Sequence, residues 1–502
     1  MKKNIFIKSC MATVALILAA GCSEDFLDTV IPGKLATEEF YKTDADALQA
    51  TTAVYDMMQS EYVWGFASVY MLKTMPSDES NAAGASPGDQ PGYQTLDKFN
   101  FDSENDIVLK VWRTIYYTIN RANQVINRVR PESDLQKRLI AEAKALRAYN
   151  YFDLVALWGE VPLILNDLAP SEFTKQKQAT VSEVYAQIEK DLTEAISVLP
   201  TKDQYNAGDK FRISKGSAQA ILGKAYLYQK KWSLAAEQFN NVITSGKYEL
   251  EQNYGFIFSK AGEFGKESLL EVSYTDQNGS GRARESNQYI QLMGIKATHY
   301  TMAPGDSLAG GGWAFNSPTL KLYNAFVNAS DFERRKYTLM SVDELRALGG
   351  DWNNPDYYEF EGVIRRKYGN YVNESSLANG GSISSNYLTN WRFIRYADVL
   401  LMAAEAYYRA GDEDRARTEL NKVRDRAQLP DVLDSGDALF EAIVTERQLE
   451  LAFEGVRYPD LIRWGRAAQE LGPLGFIEGK HELLPIPNDD VRSGGLTQNH
   501  NY

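Results

Sequence analysis

The chain has 502 residues, 44% of them apolar and 12% aromatic, enough to bury a large core; length alone allows roughly two to four domains. Its formal charge of −13 argues against nucleic acid as a partner, because a polyanion is gripped by clustered Lys and Arg. The only cysteines are Cys10 and Cys22.

The first residues combine a basic start (Lys2, Lys3, Lys8), an apolar run over residues 11–20, and small residues ending in Gly21 and Cys22. That order predicts a secretory leader over residues 1–21. The run is too short to be a membrane span, which needs about 20 apolar residues. The string LAAGC resembles the bacterial lipobox, with Ala19 where Leu is commoner, and predicts acylation of Cys22 as the mature N-terminus. Beyond residue 22 the chain has no thiol, so an internal disulfide is excluded. Each buried lipid CH₂ contributes about 0.8 kcal/mol, so several acyl chains make a lasting anchor. Cleavage removes three lysines and no acid, taking the formal charge from −13 to −16. Residues 22–35 read as a tether. Ser23, Glu24 and Asp25 resemble acidic tags that send some Bacteroidetes lipoproteins to the outer face of the outer membrane.

Helical periodicity then dominates to about residue 246 and again over about 391–470. Thr43 is placed to cap a helix whose apolar face carries Ala47, Leu48, Val54, Tyr55 and Met58. A loop rich in Gly, Pro and Ser follows over residues 77–93. A second helix begins near Asn105. A third runs from about Leu135 to Trp158, stopped by Gly159 and Pro162, and a fourth ends at Pro200.

The decisive pattern is a repeat. Leu222, Gly223, Tyr226, Trp232, Ala235 and Phe239 stand in the register of a tetratricopeptide unit, and Ala403, Ala404, Tyr407, Ala416 and Leu420 fit the same frame. Leu192, Ala195 and Pro200 match a further second helix, expected to pair with the helix ending near Trp158. Small residues at Gly223 and Ala404 let paired helices approach, and one pair cannot bury its apolar face alone, so the units must stack. The fold class expected is mainly α, a tetratricopeptide-like helical superhelix. Over about 247–390 the periodicity fails and Gly, Asn, Ser, Tyr and Trp accumulate. This stretch is too long and aromatic for an ordinary loop, and is expected to be an irregular insertion carrying the binding site. Residues 36–502 thus read as one domain, with scaffold at 36–246 and 391–470.

Several ordered stretches together resemble the SusD/RagB family of glycan-uptake lipoproteins: DFLDT (25–29) with TEEFYKTDADALQA, LRAYNYFDLVALWGEVPLI (146–164), RYADVLLMAAEAYYRAGD (395–412) continuing into AIVTERQLELAFEGVRYPDLIRWG (442–465), and LLPIPNDDV before LTQNHNY. His500 and Asn501 depart from the usual ending. The resemblance covers nearly the whole chain. It implies a surface lipoprotein that holds an oligosaccharide without cleaving it, above a SusC-like TonB-dependent transporter.

No metal or nucleotide motif competes. His299, His481 and His500 form no HExxH pair, and neither a G-x-S-x-G elbow nor a phosphate loop occurs. No cofactor is expected, and calcium is left undetermined. A glycoside hydrolase needs only two carboxylates, and the chain offers 67. Glu446, Glu450 and Glu454, near Arg447, Arg457, Asp460 and Arg463, are better read as ion pairs along a helix face. Hydrolase and protein-binding repeat lipoprotein remain the alternatives to glycan capture.

An exposed aromatic ring suits the C–H face of a sugar, and neighbouring amides and acids suit its hydroxyls. On that ground Trp313, Tyr274, Tyr289 and Tyr93 are the candidate saccharide contacts, with polar neighbours Asp78, Glu79 and Asn81. Trp352 and Tyr357 rank lower; Arg282 and Arg284 would suit an acidic sugar, but exposed arginines are usually only solvated. Trp158 and Trp464 read as scaffold.

Overall fold

The computed structural model describes residues 40–60, 66–166, 168, 170–275, 286–296, 298–354, 356–376 and 387–502. Cys22 and the tether lie outside them, as do Arg282 and Arg284.

The repeat scaffold consists of α1 (Asp44–Ser60), α2 (Asp106–Arg128), α3 (Asp134–Trp158), α4 (Val181–Ile196), α5 (Lys215–Tyr228), α6 (Trp232–Thr244), α7 (Tyr396–Arg409), α8 (Glu413–Arg426) and α9 (Gly436–Glu450). Several of these helices start where a side chain satisfies their first free N–H groups. Thr43 Oγ1 accepts from Asp46 N at 3.1 Å while Asp46 accepts from Thr43 N at 2.9 Å. Ser133 with Gln136, and Thr180 with Glu183, form reciprocal capping boxes on α3 and α4. Asn105 caps α2. α3 ends at Gly159, whose φ of +76° disfavours any residue with a Cβ.

Each of these helices packs on the next in the chain, α3 on α4 as the repeat spacing predicts. α6 packs directly on α7 although some 150 residues of sequence separate them, so the stack is continuous across the insertion. The fold is therefore mainly helical and tetratricopeptide-like. Gly223 shows why the motif wants a small residue: a Cβ there would lie 2.6 Å from the Phe239 ring. Tyr407 fills the neighbouring gap, its hydroxyl 3.3 Å from Asn240 Oδ1.

Strands β1 (Ser268–Val272) and β2 (Trp391–Arg395) pair antiparallel, setting Val272 opposite Trp391 and Ser268 opposite Arg395, and so close the neck of the insertion. Between them lie short helices, including Gln288–Met293, Leu320–Asn328 and Phe332–Thr338, and short strand pairs. One pair, Ser80–Asn81 with Ser317–Pro318, stitches the 77–93 loop onto the insertion. Much of the insertion has a small core of its own, with Trp352 stacked on Phe360 at 4.2 Å. Among the described residues no helix is long and apolar enough to cross a membrane.

Candidate saccharide-binding face

Trp313 is held by a glycine-rich segment. Its backbone N donates to Gln291 O at 2.9 Å, while Gly311 and Gly312 both donate to Ile295 O. Gly312 lies so close to Gly294 that a Cβ would sit 2.1 Å from its carbonyl carbon, so glycine is required for the two strands of backbone to meet. The Trp313 ring is half-buried, packed against the half-buried ring of Phe66 with centroids 5.0 Å apart and planes inclined at 57°. Together they form an aromatic ledge. Sequence reasoning passed over Phe66; the signal was the alternation of aromatics at Tyr62, Trp64 and Phe66 after α1, of which only Phe66 is among the described residues.

The other three candidate rings lie inward, which corrects the expectation that they are exposed platforms. Tyr93 is fully buried and its hydroxyl donates to the Phe66 carbonyl; Tyr289 is 1% exposed. Tyr289, Tyr70 and Trp391 pack edge to face at 4.3–5.1 Å, and Trp391 stacks on Tyr368 at 4.2 Å. Tyr274 is buried beside β1, its backbone N held by Asn390 Oδ1 at 3.0 Å. Of these residues Tyr93 braces the ledge directly, through its bond to the Phe66 carbonyl. Trp352 and Tyr357 are likewise buried, in the insertion's own core.

The polar candidates are corrected in the same way. Asp78 is 2% exposed and receives Arg457 Nε and Nη2 at 2.8 and 2.9 Å, with Lys321 Nζ at 2.7 Å. Burial works against the Asp78 charge, but Arg457 and Lys321 outweigh it and hold the carboxyl below its ordinary value. Glu79 accepts from Phe453 N at 3.2 Å and is otherwise starved of partners, so burial pushes its carboxyl up to about 8. Asn81 donates to Glu361 Oε1 at 2.7 Å. These three side chains fasten the 77–84 segment to its surroundings.

Glu446, Glu450 and Glu454 do form ion pairs, and these lie in the interior. Arg334 Nη1 reaches Glu446 at 2.6 Å and Glu450 at 3.0 Å; Arg395 joins Glu450, Glu454 and Glu267; Lys367 reaches Glu454 at 2.5 Å. Arg447 pairs with Asp398 and Asp460. Despite full burial, Arg426, Arg395 and Arg334 hold Glu450 well below the carboxylate range, and Arg395 and Lys367 hold Glu454 down. A general acid needs the opposite, a carboxyl kept protonated beside a substrate. Trp158 is fully buried, its indole donating to Pro485 O, and Trp464 donates to Glu405.

A stacked helical scaffold that carries an aromatic ledge on a braced insertion is a tetratricopeptide-like architecture. Residues 26–227 match the family model described as starch-binding, associating with outer membrane, and residues 266–482 match that of the SusD family. SusD-like protein P2 of Formosa agariphila is 29% identical over 521 residues, 97% of each chain. A solved laminarin-binding SusD-like protein is 35% identical, with a TM-score of 0.83 over 92% of this chain and 100% of its own. Surface glycan-binding protein A of Bacteroides thetaiotaomicron, solved with laminarihexaose, shares the fold at 24% identity, with a TM-score of 0.76 over 91% of this chain and 100% of its own. The chain belongs to the SusD family, whose matched members include surface glycan-binding proteins.

Proposed function

We propose that this protein is a cell-surface lipoprotein, anchored through Cys22, that captures an oligosaccharide on the ledge of Trp313 and Phe66 and passes it intact to a SusC-like TonB-dependent transporter. Residues 1–21 are then the leader, 22–35 the tether, and the remainder the binding domain. The observation that carries the reading is the half-buried Trp313 ring, packed on Phe66 and carried on a backbone whose contacts need Gly312 and Gly294. A preset ring spends little conformational entropy on binding. The name of the relative at 35% identity supports a laminarin-type glucan as the ligand class. A binding role without cleavage is supported by Glu450 and Glu454, whose carboxylates are neutralised in the interior by Arg334, Arg395 and Lys367.

The test is calorimetry of the mature chain with laminarihexaose, followed by chromatography of the recovered sugar. Saturable binding with the hexasaccharide recovered whole is expected, together with co-purification of a large outer-membrane barrel from detergent extracts. Shortened products would overturn the capture reading in favour of a hydrolase.

A further inference from the structure

A second hollow lies in the insertion, and its lining includes neither Trp313, Phe66 nor Gln291. Its volume is about 240 Å³, and its lining includes Asp306, Ser307, Tyr337, Arg366, Tyr371 and Asn373. Arg366 Nη1 lies 3.0 Å from Asp306 Oδ2, which fixes the guanidinium plane, and the Tyr371 hydroxyl bonds to the same guanidinium. The Arg366 Nε–H is nonetheless buried without an acceptor. The Tyr337 ring is set by Gly255, where a Cβ would stand 2.3 Å from Cδ1.

A fixed carboxylate–guanidinium pair offers a donor and an acceptor side by side, which matches neighbouring hydroxyls on a sugar ring. Tyrosine supplies an apolar face with a polar tip for the same ligand. The volume falls below the roughly 300–1,000 Å³ of pockets that hold drug-sized molecules, so the space suits one ring and not a chain. A strongly anionic ligand fits less well, because Asp306 already neutralises Arg366. We propose that this hollow is a second saccharide site, taking a single pyranose or the terminal unit of a longer glycan.

The proposal is tested by saturation-transfer NMR with glucose, galactose and mannose on the mature Trp313→Ala protein, in which the ledge has lost its principal ring. Transfer to at least one sugar is expected to persist there. It should fall at least fivefold in Trp313→Ala/Tyr337→Ala and in Trp313→Ala/Asn373→Ala. Asn373 is exposed, so its replacement keeps the test valid should the Tyr337 variant fold poorly. The proposal is overturned if none of the three sugars receives saturation, if Trp313→Ala alone abolishes it, or if the Asn373 variant leaves it undiminished.

Discussion

Arg457 closes on Asp78 through two parallel hydrogen bonds of 2.8 and 2.9 Å, joining residues 379 positions apart in the chain. Both side chains are buried, so removing one strands the other as an uncompensated charge. Breaking such a pair costs about 3–5 kcal/mol. Asp78→Ala should therefore lower unfolding free energy by that amount in urea titrations; a change below about 1 kcal/mol would show that the pair contributes nothing.

Gly223 and Phe239 meet where the two helices of the first clear repeat cross closely. Gly223→Ala places a methyl group against a fully buried ring and should cost about 1–3 kcal/mol through overpacking. Trimming the ring relieves the clash, so Gly223→Ala/Phe239→Leu should lose less stability than the two single changes added together.

The pH dependence of stability carries two opposed signatures. The folded Glu79 carboxyl titrates at about 8, above its ordinary 4.5, so between those values the unfolded chain binds fewer protons and stability falls as pH rises. Asp97, raised to about 6, and Glu263, raised to about 7, act in the same direction. Glu79→Gln should match the parent near pH 4.5 and exceed it increasingly towards pH 8. His481 is buried and lowered to about 4, mainly by burial, so the unfolded imidazole takes up a proton below pH 6.5 before the folded one does. Stability from that residue is lost as pH falls from 6.5 to about 4. Thermal melts across pH 4–9 resolve both limbs.

Replacing Trp313 with Ala should weaken laminarihexaose binding at least tenfold, about 1.4 kcal/mol, in calorimetry. The ring is only half-buried, so the melting temperature should drop by less than about 4 °C. Unchanged affinity would remove the ledge from the binding site.

Cys22→Ser removes the sulfur that acylation requires. The variant should appear in the aqueous phase on detergent partition of cells, while the parent stays with the membrane. Equal partition of the two would refute the lipid anchor.

The repeat was legible because Gly223, Phe239, Ala404 and Tyr407 answer to local geometry: helical spacing and side-chain size alone determine whether two adjacent helices nest. Caps at Thr43 and Asn105 are equally local. The candidate site was less legible. Tyr93 and Tyr289 lie in segments rich in polar and small residues, which suggested exposure, yet Tyr289 packs on Trp391 and Tyr70 and Tyr93 on Phe315, all distant in sequence. For Glu450 and Glu454 the pairing was anticipated but its depth was not, since spacing along one helix does not reveal that Arg334, Lys367 and Arg395 arrive from elsewhere. Trp313 was chosen as a loop aromatic, and its half-buried ring keeps it a candidate where Tyr93 and Tyr289 are not.

The clasp of β1 and β2 has a consequence for divergence among relatives. Once both ends of a segment are pinned together, lengthening the part between adds only slowly to the entropy of closure. Recognition loops can therefore lengthen or change while the helical stack stays in register, provided Arg334 and Lys367 still reach back to Glu450 and Glu454. One frame can in this way serve many diets.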